Sequence, residues 1–252
     1  MKRWLAFAFA LLMVSSSAYA KSSEEIRKDS YILIGVTPIG ADLPTLLTSP
    51  LTASALESYG FKEVKSSPLA TLGVYLGDSL LIGVDAGSLK ASFEDTDTKS
   101  QGDVSYSNAG AYARWFMGNS FNILLGYHTR AWNLKGSTTQ EDPKYPGTKL
   151  KINGAVDANA SVGSVGIGNQ WITDFGLTIG MDWLVASSVM GSTKKVALDG
   201  TATHPVLGSV SLATLSPATQ QAGEKALNKL ADDLNTYSGS SGGFILTLGM
   251  SF

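Results

Sequence analysis

Five ionisable residues recur on the polar side of alternating stretches: Asp85, Arg114, His128, Arg130 and Asp182. Carboxylates beside guanidinium groups form ion pairs, and an imidazole beside a carboxylate can exchange protons. Charges withdrawn from water must pair or stay hydrated, because isolated burial is expensive. The five therefore read either as a salt-bridged plug or as the polar lining of a narrow path. The second histidine, His204, precedes Pro205, and His128 precedes Thr129-Arg130 with no serine two residues on. Neither falls in a recognisable catalytic triad pattern, although triads recur in several chain orders. No His/Cys cluster offers a zinc site. The acids Glu94, Asp95, Asp97 and Asp103 lack EF-hand spacing and read as a solvated loop. No cofactor, no metal and no enzymatic activity are expected.

Placing those five charges on one surface requires strands, because successive strand side chains point to opposite faces. Phe244, Leu246, Leu248, Met250 and Phe252 alternate with Ile245, Thr247, Gly249 and Ser251, so one face suits lipid and the other an interior. In 80–92, Leu80, Ile82, Val84 and Ala86 oppose Asp85 and Gly87. In 121–134, Phe121, Ile123, Leu125 and Tyr127 oppose Asn122, Gly126, His128 and Arg130. In 176–190, Leu177, Ile179, Met181, Trp183 and Val185 oppose Thr178, Gly180 and Asp182. Weaker alternation marks 31–40, 69–76, 103–116 and the Gly-rich 154–171, where a bulge is expected. These segments predict eight strands.

The connections alternate in length. Gly77-Asp78-Ser79, Met117 to Ser120 and Ile172 to Phe175 are short, whereas 41–68, 93–102, 135–153 and 191–242 are long. Outer-membrane barrels have short periplasmic turns and long extracellular loops, and with eight strands both termini fall on the turn side. Trp115, Phe116, Phe121, Trp171, Phe175 and Phe252 cluster at that side, as an interfacial aromatic girdle would. In the last loop, Ser216-Pro217 opens a helix over about 217–237, with Leu227, Leu230, Leu234 and Tyr237 at helical spacing. A shorter helix opens at Ser49-Pro50. Such helices pack on the rim, plug the mouth or present a partner surface. Segments 194–198 and 206–215 are expected to extend above the membrane as a hairpin rather than add two membrane strands.

At the N-terminus, Lys2 and Arg3 precede the apolar stretch Trp4 to Val14, then Ala18-Tyr19-Ala20. This predicts a secretory signal over residues 1–20, cleaved near Ala20, followed by a periplasmic segment over 21–30 and a barrel over 31–252. The stretch is too short for a spanning helix, which needs about 20 residues. Although 44% of the chain is hydrophobic, no long apolar run follows the leader, so membrane helices are not expected. The chain has no cysteine, so a closed sheet rather than disulfides must hold it. No clustered basic face suggests nucleic-acid binding.

The C-terminal pattern Phe244-x-Leu246-x-Leu248-x-Met250-x-Phe252 and the alternation of turns and loops resemble the small eight-stranded outer-membrane barrels, the group that includes OmpX, OmpW and the barrel of outer membrane protein A. The resemblance covers roughly 31–252. It implies an all-β, transmembrane, antiparallel up-and-down barrel with short helices in extracellular loops, in the outer membrane of a Gram-negative bacterium. It also implies that Phe244, Leu246, Leu248, Met250 and Phe252 are read by the barrel-assembly machinery, and that lipid and lipopolysaccharide surround the chain. Three roles are compatible: a structural or surface-interaction protein acting on an unknown extracellular partner, a narrow channel for small or hydrophobic solutes, and, least favoured, a lipid-modifying enzyme.

Overall fold

The computed structural model describes residues 21–141, 147–206 and 208–252; the expected leader, residues 1–20, lies outside them. In chain order the elements are helix α1 (Ser23–Asp29), strand β1 (Ile32–Gly40), helices α2 (Leu43–Thr48) and α3 (Pro50–Ser58), and strands β2 (Lys62–Leu76), β3 (Leu80–Asp95), β4 (Ser100–Phe116), β5 (Phe121–Glu141), β6 (Lys149–Ile172) and β7 (Leu177–His204). Strand β8 (Gly208–Ser211), helices α4 (Leu212–Leu215) and α5 (Pro217–Ser238) and strand β9 (Ile245–Ser251) complete it. Strands β1 to β7 pair in sequence, β7 pairs with β9, and β9 returns to β1, so eight antiparallel strands form a closed ring. Strand β8 only hems the far end of β7.

Closure runs through β9, the shortest strand of the ring. On one edge of β9, Gly249 faces Gly35 and Leu248 faces Val36; on the other, Ile245 faces Asp182. The Phe252 carbonyl accepts from the amides of Tyr31 (2.5 Å) and Ile32 (3.1 Å), carrying the seam to the last residue. Two strands approach without side chains at Gly35 and Gly249. A Cβ on Gly249 would lie 2.6 Å from the Ile34 carbonyl oxygen. In the short turns, Gly77 (φ 74°) and Gly118 (φ 76°) take the left-handed conformation that other residues resist.

The strands alternate as expected, and the inward and outward sets differ in chemistry. Outward Ile34, Leu72, Val84, Leu125 and Ile167 are between 41% (Ile167) and 57% (Leu125) exposed, forming an apolar belt around the ring. Beyond that belt the outward face becomes polar, with Ser88, Ser107, Asn133 and Asn159. The strands continue there, and this is where the sequence reading falls short. Strand β2 begins at Lys62 instead of 69, β5 runs to Glu141, and β7 runs to His204, so 191–204 is strand rather than loop. Residues 194–198 pair with β6 across 154–158; the hairpin joins Thr201–His204 to β8, and Leu212–Leu215 is helical. Apolar alternation lapses where the outer face turns polar, while backbone pairing persists.

The ring is lopsided. Strands β6 and β7 have 24 and 28 residues against nine in β1 and seven in β9. Helix α5 lies against the inner face of this tall wall, where Leu227, Ala231 and Leu234 pack on Trp132, Leu134, Val156, Ala158 and Val196. It spans 217–238, close to the expected helix. At the opposite end, α1 closes the ring. Its start is a capping box between Ser22 and Glu25, and the two Ser22 hydrogen bonds hold the Glu25 carboxyl below its ordinary pKa.

Valine at Gly249 should break the seam. Replacing Gly249 by Val is expected to lower the unfolding free energy by about 3 kcal/mol through backbone overpacking. Gly136→Ala, where the nearest atom to the new Cβ is 3.6 Å away, should change it by less than about 1 kcal/mol. Urea denaturation of both variants checks this.

Candidate functional site

The inward side chains fill the ring in layers. At the turn end, Arg27 of α1 is 1% exposed. Its guanidinium donates to the carbonyls of Asp78 (2.6 Å), Asn119 (2.8 Å) and Gly118 (2.8 Å), and stacks 4.0 Å from the Phe116 ring centre. Burial lowers its pKa from the ordinary arginine value. Ile26 packs beside it with Leu33, Tyr75, Leu81, Tyr112 and Ile172. One helix thus ties two strand turns together and stoppers the ring.

Above the stopper lies a hydroxyl and amide layer. The Tyr75 hydroxyl lies 3.0 Å from Ser251 Oγ and accepts from Gln170 (2.8 Å); Thr178 meets the same Ser251 at 2.6 Å. Next comes the strongest contact in the interior. Arg114 donates through Nη1 (2.5 Å) and Nη2 (2.8 Å) to the two oxygens of Asp182, and Nη1 also reaches Asn122 Oδ1 at 3.0 Å. Such a bidentate, charge-assisted pair fixes both planes. Glycine makes room for it: a Cβ on Gly168 would sit 2.5 Å from Asp182 Oδ1.

The third layer is a chain of polar contacts. His128 Nε2 lies 3.0 Å from Asp85 Oδ2, Asn108 donates to Asp85 Oδ1 (3.2 Å), and Arg130 Nε donates to Asn108 Oδ1 (3.3 Å). Arg130 Nη1 also donates to the Ser238 carbonyl, and Trp132 Nε1 to Ser238 Oγ (3.1 Å). Ser238 ends α5, so a cation sits at a helix C-terminus, where the macrodipole favours it. The structure therefore brings the five predicted ionisable residues into one lumen as two clusters, Arg114–Asp182 and Asp85–His128 with Arg130 joined through Asn108.

Between these layers, lined by side chains from α2 and all eight strands of the ring, lies a cavity of about 90 Å³. It is lined by Asp42, Thr45, Asp85, His128, Arg130 and Asp182, among others. Asp42, Thr45 and His128 are buried there, with Thr45 beside the Asp42 carboxyl, and His128 Nδ1 has no hydrogen-bond partner among the described residues. Burial raises the pKa of the Asp42 carboxyl from its ordinary value. The volume is that of about three water molecules. Chemically, His128 and Asp85 form a histidine–carboxylate dyad, and among the described residues no hydroxyl bonds the second ring nitrogen. Among the described residues no three His, Cys, Asp or Glu converge as metal ligands.

The other sequence candidates lie apart. His204 ends β7 and accepts from the Val206 amide through Nδ1 (3.1 Å). Asp95 accepts from the Asp97 amide and the Thr98 hydroxyl, the hydroxyl bond most strongly lowering its pKa, and Glu94 pairs with Lys62 at 2.8 Å. The acidic loop is thus engaged in its own turn. Phe244, Leu248 and Phe252 are exposed on the outward face, with Leu246 and Met250 half-buried between them. Sequence reasoning missed Arg27 and Asp42. The Ser22-x-x-Glu25 capping box was the available signal for α1; Asp42 has none, because its burial depends on α2 folding inward.

No protein-family model, curated protein or solved structure matches the chain.

Removing one partner of the central ion pair strands the other. Asp182 has only 3% side-chain exposure, so Arg114→Ala should cost about 3–5 kcal/mol of unfolding free energy. The double replacement Arg114→Met with Asp182→Leu should recover most of it, because it removes both desolvated charges. Denaturation of the single and double variants measures the difference.

Proposed function

We propose that this chain is an outer-membrane β-barrel of a Gram-negative bacterium, similar to the small eight-stranded group. In this reading it is a closed-lumen structural or surface-interaction protein that presents α5 and the tall β5–β7 wall outside the cell. The observation that carries the reading is the outward apolar belt. A closed ring whose outer face exposes Ile34, Leu72, Val84, Leu125 and Ile167, while its interior holds ion pairs, is built for an apolar solvent outside. Large contiguous apolar surface is not left to water without cause. Trp115 (55% exposed), Phe175 (71%) and Phe252 (62%) at the turn end suit one interface. No helix among the described residues is long and apolar enough to cross a membrane; strands would do so.

The interaction role is favoured over conduction because the lumen is filled. Arg27 stoppers one end, Arg114–Asp182 crosses the middle and Ser238 seats on Arg130 above. Regular pairing between β7 and β9 stops at Asp182, and the segment preceding β9 then bridges β7 again through Val185 and Gly242, so the wall continues above the ion pair.

Export followed by outer-membrane insertion predicts that the native protein fractionates with the outer membrane, requires detergent and migrates faster on gels unheated than heated. Purified protein in planar bilayers should be electrically silent. Recovery in the soluble periplasm would overturn the membrane reading. Steady channels that widen in Arg114→Ala would instead replace the interaction role with conduction.

A further inference from the structure

The outer face of the ring carries a local electrostatic conflict. Strand register sets Lys135 opposite Asp103, Lys149 opposite Glu141 and Lys195 opposite Asp157. Lys62 reaches Glu94. Lys65 and Lys90 are instead opposite each other on β2 and β3. Both are exposed, and neither has a carboxylate within ion-pair distance among the described residues. Like charges directly opposite on a sheet are destabilising, so this pair calls for a counter-charge from outside the chain.

The neighbours suit an anion. Ser67 faces Ser88 one step nearer the belt, and Ser105 of β4 faces Lys90. These three side-chain hydroxyls have no hydrogen bond within the described residues, so all remain available as donors. The height is equally specific. On β3 the outward row runs Ile82, Val84, Ala86, Ser88, Lys90. Lys90 therefore sits about 13 Å along the strand beyond Ala86, or roughly 10 Å along the ring axis at the usual strand tilt. With the hydrocarbon edge at the level of Ala86, the backbone of Lys90 lies about 2–5 Å beyond a headgroup layer of roughly 5–8 Å, and a lysine stem reaches back down to it.

We infer that Lys65 and Lys90, with Ser67, Ser88 and Ser105, form a docking site for the phosphate of an anionic lipid in the leaflet at the loop end. The inference rests on the membrane reading and adds a ligand class to one side of the ring. The phosphate takes one ammonium on each side and relieves the cross-strand repulsion.

Native mass spectrometry of the full chain in detergent, with added phosphatidic acid, phosphatidylcholine or inorganic phosphate, tests it. Phosphatidic acid should be retained in preference to phosphatidylcholine. Lys65→Gln with Lys90→Gln should reduce that retention about tenfold, as expected for loss of two charge-assisted contacts. Lys195→Gln, whose lysine already faces Asp157, should leave it unchanged. Equal retention by the double variant overturns the site, and so does displacement of the lipid by inorganic phosphate at equal concentration, which marks a free-anion site only. A chain soluble without detergent brings down the membrane reading and the inference together; an inserted chain that retains both lipids equally overturns the inference alone.

Discussion

The fold depends on closure of the sheet through β9. Seven residues must satisfy the backbone edges of both β1 and β7, and the Phe252 main chain finishes the seam against Tyr31 and Ile32. An unclosed eight-stranded sheet would present two rows of unpaired amides and carbonyls, which is costly in water and prohibitive in lipid. Gly35 and Gly249 matter because the two strands meet there with no side chain between them. Closure also creates the interior: a lumen exists only once the ring exists, and it must then be filled.

An eight-stranded ring is just wide enough for side chains to fill it. In this one the middle holds Arg114, Asp182, Asp85, His128 and Arg130, between an apolar cluster around Leu33 and Leu81 at the turn end and another where α5 packs on Val156 and Ala158. Fixed pairs neutralise those charges, and elements from outside the strands complete the filling. Helix α1 supplies Arg27 to the turn carbonyls, and α5 supplies a C-terminal carbonyl to Arg130. A second set of apolar residues, including Ile34, Leu72, Val84 and Leu125, lies on the outer face. The two sets come from alternation: each strand has two faces, and closure encloses one of them.

That alternation is also why much of the fold was legible. The segments 80–92, 121–134 and 244–252 showed their period of two because one face had to be apolar and the other could not be. The same parity placed the five interior ionisable residues on one surface. It failed at Lys62 to Pro68 and across 191–204. There the outer face is polar, and an inward residue such as Lys194 is paired with Asp232 of α5. With both faces polar, no period remains to be read. Pairing inside the lumen was less legible still. Arg114 and Asp182 are on β4 and β7, which are not neighbours, and the partner of Arg130 is a backbone carbonyl on a helix 108 residues away. Such contacts depend on ring diameter and on how far α5 descends, neither of which is encoded in local spacing.

The central claim is that a closed ring presents an apolar belt to lipid and a polar wall above it. Nitroxide labels placed singly along the outward face of β5, at Ile123, Leu125, Tyr127, Thr129, Asn133 and Ser137, measure this directly in reconstituted vesicles. Collision with oxygen, which concentrates in hydrocarbon, should dominate from 123 to 127, and collision with a water-soluble nickel chelate should take over by 133. Uniform access of the nickel chelate along the whole strand would contradict the account.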